Sequence, residues 1–105
     1  MRLKDAKHCR FIRSLPCAYQ GAHGLQCSGD VVPAHIRMGA KAGTGRKPDD
    51  SRVIPLCHAH HSLQHDKGEL FFHGNKLRES IELAIQLYKV TGNREKAIEA
   101  IVRFR

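Results

Sequence analysis

Four residues constrain this chain most: Cys17, Cys27, Cys57 and His60, in the stretches "CAYQGAHGLQC" and "CHAH". Cys57 and His60 stand three apart in "VIPLCHAHHSLQH", where an apolar run gives way to a polar one. A cysteine and a histidine so spaced at a strand-to-helix turn can both reach one Zn2+. Such a pair needs a second pair. Cys17 and Cys27 supply it, with nine residues between them that include Gly21 and Gly24. The resulting Cys3His site ties an upstream loop to the head of a helix. A chain of 105 residues builds a modest core, and a structural metal stands in for part of it. Cys9, in the first expected helix, and His23, in the loop, are rival ligands.

The same four cysteines read as thiols or metal ligands rather than disulfides, because the chain is expected in the cytoplasm. The N-terminal "MRLKDAKHCR" carries charge with no apolar run behind it, unlike a secretory signal. No stretch approaches the ~18 apolar residues of a membrane span, so no membrane partner is expected.

Periodicity gives an α+β chain, read as one domain over residues 1–105. A helix is predicted over Lys4–Leu15, with Phe11, Ile12 and Leu15 inward and Pro16 ending it. Cys17–Gly29 is a loop. Asp30–Ile36 is an extended run in which Pro33 marks an edge or a bend. Arg37–Asp50 is a Gly-rich basic loop, and Arg52–Leu56 is the second strand. A helix then runs from Cys57 to about Lys67, where Gly68 stops it. Leu70–Phe72 is apolar and irregular. Leu77–Val90 is the clearest helix, with Leu77, Ile81, Ala84, Ile85 and Tyr88 along one face. After Gly92, Asn93 caps a last helix with Ala97, Ile98, Ile101 and Val102 inward.

The remaining histidines of "CHAHHSLQH" form a second group. His61 and His65 are four apart on a helix and share a face, about 100° round from His60. Two metal-competent side chains therefore point to a separate site. His35, in "PAHIR", ends the first strand across from them. As a neutral imidazole it can take a proton from water. His58 lies off both faces and is read as surface.

The net charge of +8, with histidines neutral, favours a polyanionic partner, and nucleic acid above all. Arg37, Lys41, Arg46 and Lys47 are placed to contact backbone phosphates. Gly39, Gly43 and Gly45 would let their loop follow a duplex closely. The chain offers little means of reading base sequence.

Taken together, "FIRSLPC", "AHIR…GTGRKP", "KPDD" and "VIPLC-x2-HH-x3-H" resemble the HNH, or ββα-metal, endonuclease family, and within it small prophage-encoded members. The resemblance covers roughly residues 11–72; the C-terminal extension from about residue 76 adds nothing to it. It implies a zinc-supported ββα-metal finger; the helix before it and the two amphipathic helices after it are read from periodicity alone. It implies a metal-dependent endonuclease that hydrolyses DNA phosphodiester bonds, and the scarcity of base-reading groups makes low sequence specificity the expectation. His35 would be the general base. Asp50, with Asp49 as the next match, would brace the loop and orient that base. His61 and His65 would hold a catalytic divalent metal: Mg2+, Mn2+, Ni2+ or Zn2+. Cys17, Cys27 and Cys57 would clamp the structural zinc, with His60 in place of a fourth cysteine. Two features depart from the family pattern. Ala34 stands where many members have a metal-binding Asp or His, and the Cys17–Cys27 spacing is wide. The alternative expectation is a zinc-stabilised DNA-binding module without catalysis.

Overall fold

The computed structural model describes residues 4–38 and 49–105. In chain order it contains α1 (Ala6–Arg13), β1 (Val31–His35), β2 (Val53–Cys57), α2 (His58–Lys67), α3 (Glu69–His73), α4 (Leu77–Lys89) and α5 (Arg94–Phe104). The protein is α+β, with a two-stranded antiparallel sheet. Helix α1 starts where Asp5 accepts the His8 N–H at 2.9 Å, and its last-turn Arg10 and Arg13 suit the helix dipole.

The sheet is built around an unusual pair. Pro33 of β1 faces Pro55 of β2, in a register that also pairs Val31 with Cys57 and His35 with Val53. Proline cannot donate to a ladder. It is tolerated here because the pair is of the kind whose polar groups point away from the partner strand. The Pro55 carbonyl turns outward and accepts the Ala18 N–H at 2.8 Å, which fastens the chain after α1 to the outer edge of β2. All five residues of β2 are buried, whereas β1 buries Ala34 and leaves its other residues half-buried.

The core gathers Ile12, Leu15, Ala34, Ile36, Val53, Ile54, Leu56, Phe72, Leu87 and Ile101 around β2. Fully burying a side chain of this kind contributes about 1.5–3 kcal/mol. Ordering the chain offsets most of the sum.

Three expectations are corrected. Leu70–Phe72 is not irregular: it lies within α3, whose first turn closes with a Phe72 N–H to Gly68 carbonyl bond of 3.0 Å. Gly68, at φ 88°, lets the chain stop α2 and begin α3 at once. Helix α4 buries Ser80, Leu83, Ala84 and Leu87, while Ile85 turns outward at 40% exposure. The face that carries Leu83, Ala84 and Leu87 turns inward, and it sets the Ser80 hydroxyl 2.7 Å from Tyr19 Oη. Val102 of α5 is 59% exposed rather than inward, and Ala97 and Ile101 carry the burial. The expected caps are present: Asn93 Oδ1 accepts the Lys96 N–H at 3.1 Å, and Gly68 ends α2.

Candidate metal centre and histidine cleft

Cys57 is both the last residue of β2 and the N-cap of α2. Its sulfur accepts the His60 N–H at 3.4 Å, which leaves the His60 ring above it. The loop between α1 and β1 brings Cys17 and Cys27 to the same point. His60 Nδ1 lies 3.9 Å from Cys17 Sγ, 3.7 Å from Cys27 Sγ and 3.1 Å from Cys57 Sγ. All four ligand atoms fall within 4.8 Å of one another. Tetrahedral zinc, with bonds of ~2.3 Å to sulfur and ~2.0–2.1 Å to nitrogen, places such nitrogen and sulfur atoms about 3.6 Å apart. The donor set therefore fits a metal ion such as zinc.

The tautomer of His60 suits this role as well. Its Nε2 donates to the Ala22 carbonyl at 3.1 Å, so the Nδ1 lone pair is left for the three sulfurs. The loop is tied to the helix a second time by the Ala59 N–H donating to the Ser28 carbonyl at 3.1 Å. Gly29 sits so close that a Cβ there would meet His58 Cβ at 2.6 Å, and its φ is +81°. Burial pushes the Cys17 thiol up to about 12. Burial also acts against the Cys57 thiolate, but the main-chain N–H and ring of His60 outweigh it and bring Cys57 down to about 6. The four cysteines are free thiols.

The second centre lies on the other face of α2. His35, Arg37, His61, Gln64, His65, Gly68 and Glu69 line a cleft of about 250 Å³. The Nε2 atoms of His61 and His65 are 3.1 Å apart, with the rings edge to face. Two imidazoles on one tetrahedral ion have nitrogens about 3.3 Å apart, so the pair needs little movement to share a cation. Burial lowers the His61 pKa, and charge on His65, His35 and His58 lowers it further, which keeps its lone pair free near neutral pH.

Across the cleft, His35 Nε2 donates to Asp50 Oδ1 at 2.8 Å. This fixes the tautomer with Nδ1 bare. Asp50 is itself held: its other oxygen accepts the Asp5 N–H at 2.8 Å, and the Cys9 thiol hydrogen-bonds the same carboxylate. Burial pushes the Asp50 pKa up, but the bonds from His35, Asp5 and Cys9 win, and the carboxyl titrates below its ordinary value. It therefore stays ionised near neutral pH.

The expected site residues among those described fall into distinct groups. Cys17, Cys27, Cys57 and His60 come together; His35, His61 and His65 line one cleft with Arg37; and Asp50 contacts His35, whereas Asp49 gives its carbonyl to the Arg52 N–H at 3.1 Å. Lys41, Arg46 and Lys47 lie outside the described residues. The rival ligands are engaged elsewhere. Cys9 contacts Asp50, and the His23 Nε2 donates to the Phe72 carbonyl at 2.7 Å. His58 is exposed, and Ala34 is fully buried, pointing no group into the cleft.

Sequence reasoning missed Asp5, Gln64 and Glu69. Asp5 acts through its main-chain N–H, which no side-chain pattern signals. Gln64 and Glu69 share the exposed-looking polarity of any surface helix. Also unforeseen is a buried polar knot beneath the cleft. His73 Nδ1 meets Tyr19 Oη at 2.9 Å and Ser80 Oγ at 3.0 Å, and its Nε2 meets Gln64 Nε2 at 3.0 Å. Burial lowers His73 to about 4.

Among the described residues, no helix is long and apolar enough to cross a membrane. Compared with protein-family models, curated proteins and solved structures, the chain finds no match.

Proposed function

We propose that the protein is a metal-dependent DNA endonuclease built on a zinc-supported ββα-metal finger, in which β1, β2 and α2 are the finger and α1, α4 and α5 its support. One observation carries the reading: the Asp50–His35 pair at 2.8 Å shares a cleft with the His61–His65 pair, whose nitrogens lie 3.1 Å apart. A positioned base facing a two-histidine cation site is what phosphodiester hydrolysis requires, because bulk water ionises too weakly at neutral pH.

In this reading Asp50 holds His35 with Nε2 protonated, and Nδ1 takes the proton of the attacking water. His61 and His65 would hold a divalent cation, which when bound offsets the charge that develops on the phosphate and the leaving oxygen. The exposed Arg37 side chain, with Lys41, Arg46 and Lys47, would contact the phosphate backbone. Cys17, Cys27, Cys57 and His60 would hold zinc in a purely structural role. The net charge of +8 supports a polyanionic substrate taken with little regard to sequence. The setting proposed for it is cytoplasmic and prophage-related.

Ala34 favours a second reading. Its methyl carries no donor atom, so His61 and His65 lack the further ligand that many members of the resembled family have at that place. A zinc-stabilised DNA-binding module without catalysis would retain everything else.

Plasmid nicking with added Mg2+, Mn2+, Ni2+ or Zn2+ tests the two. Nicking that His35→Ala abolishes, and that Asp50→Asn lowers about 10²–10⁴-fold, supports the nuclease. Salt-sensitive DNA binding with no cutting under any metal supports the module. Wild-type cutting by His35→Ala would show that this histidine is not the base.

A further inference from the structure

We infer that the main-chain N–H groups of Arg37 and Met38 form a phosphate-binding site at the mouth of the histidine cleft, with Glu69 as its resident gate. The inference rests on the nuclease reading and adds to it one contact to the DNA backbone and a device that guards it.

The geometry is specific. The Arg37 N–H is shared between Glu69 Oε2 at 2.9 Å and Oε1 at 3.0 Å, and the Met38 N–H donates to Oε1 at 2.9 Å. The preceding residue, Ile36, still gives its N–H across the sheet to the Arg52 carbonyl at 2.9 Å. The ladder therefore ends at Ile36, and the next two N–H groups converge on one anion. Successive N–H groups arranged in this way make a concavity that holds carboxylates and phosphates alike. Two oxygens of a phosphodiester are spaced much like those of a carboxylate, so the same pair of donors accepts either.

The surroundings single out phosphate as the outside ligand. The site adjoins His35, His61 and His65, and Arg37 is itself one of the residues lining their cleft. Glu69 is an acid in the cleft of a chain whose net charge is +8. Its carboxylate repels a polyanion while it occupies the donors a polyanion would use. It stands at the start of α3 on a flexible side chain, so it can swing out when a phosphate arrives. A carboxylate that merely clamped the chain after β1 would instead help DNA binding by keeping Arg37 in place. The two roles predict opposite signs.

The test compares wild type, Glu69→Gln and Glu69→Ala for binding of a labelled DNA duplex at low salt, with no divalent cation added and zinc content checked. Gating predicts that both variants bind about three- to ten-fold tighter, as expected for removing one negative charge beside a phosphate in a wet cleft. It also predicts that inorganic phosphate shifts the Arg37 and Met38 amide resonances of Glu69→Gln at lower concentration than those of wild type. Unchanged or weaker DNA binding in both variants overturns the gate, as does a phosphate titration of Glu69→Gln that leaves those two amides still. If wild type binds no DNA, the nuclease reading fails, and the amide titration alone then decides the phosphate site.

Discussion

Replacing Cys57 by serine should separate the metal from everything else this residue does. Cys57 is 2% exposed and caps α2, with its sulfur 3.1 Å from His60 Nδ1. Serine is a good N-cap, so the helix start survives the change. What disappears is one thiolate out of four ligands. Loss of a supporting contact outside the ligand set already costs ~10–100-fold in metal affinity, so loss of a ligand should cost at least ~100-fold. That corresponds to about 2.7 kcal/mol, and with zinc in excess it enters folding stability in full. For a domain near this size, 1 kcal/mol moves Tm by about 4–8 °C, so the expected drop is about 10–20 °C. Far-UV circular dichroism melts with added zinc measure the drop, and elemental analysis after dialysis should find about one zinc per wild-type chain and less in the variant. A Cys57→Ser protein that melts within ~4 °C of wild type and keeps its zinc would refute the Cys3His centre.

Two further outcomes are expected. Gly29→Ala should melt lower than Gly21→Ala: both glycines have positive φ, at +81° and +77°, but only at position 29 does the new Cβ meet another atom, 2.6 Å from His58 Cβ. The shared backbone strain costs ~1–2 kcal/mol, so the difference between the two melts reports the contact of the loop with α2; equal melts would mean that His58 yields freely. Acid should also destabilise the fold through His73. Burial brings its folded pKa to about 4, while repulsion from His23 and attraction to Glu69 act against each other. The unfolded chain, titrating near 6.5, then binds the proton first. This contribution is full above pH 6.5 and is lost as pH falls from there towards 4. The gap between the two pKa values sets a ceiling of ~3 kcal/mol, which solvent screening reduces to about 1–2 kcal/mol. Urea melts of wild type and His73→Gln at pH 7 and pH 5 check it: the stability gap between the two proteins should narrow at pH 5, and a constant gap refutes the assignment.

The two halves of the histidine-rich run differ in how plainly they could be read. Cys57 and His60 were legible because zinc geometry is local at one end: three residues at a helix start put sulfur and imidazole on one side whatever the rest of the chain does. His61 and His65 were legible for the same reason, since helical periodicity alone sets them side by side. Local chemistry also gave the Asn93 cap and the Gly68 stop. The buried face of α4 was harder, because its apolar residues surround much of the helix and a serine such as Ser80 gives no apolar signal of burial. Packing of Leu83 and Leu87 selects the face that carries Ser80, whose hydroxyl then meets the buried Tyr19 hydroxyl and His73 ring, groups that need partners once they leave water.

What the sequence determined by itself was therefore the chemistry offered: three thiols and an imidazole at matching spacings, a histidine pair one helical turn apart, and a basic chain. What only the tertiary structure decided was which distant groups complete each site. Asp50 is poised against His35 because α1, 45 residues away in sequence, presents the Asp5 N–H to its other oxygen. Glu69 reaches Arg37 and Met38, about 30 residues upstream, only because Gly68 turns the chain into α3 beside the end of β1. Backbone donors and long-range carboxylates carry no periodicity, and their partners are fixed by packing, so the folded chain alone reveals them.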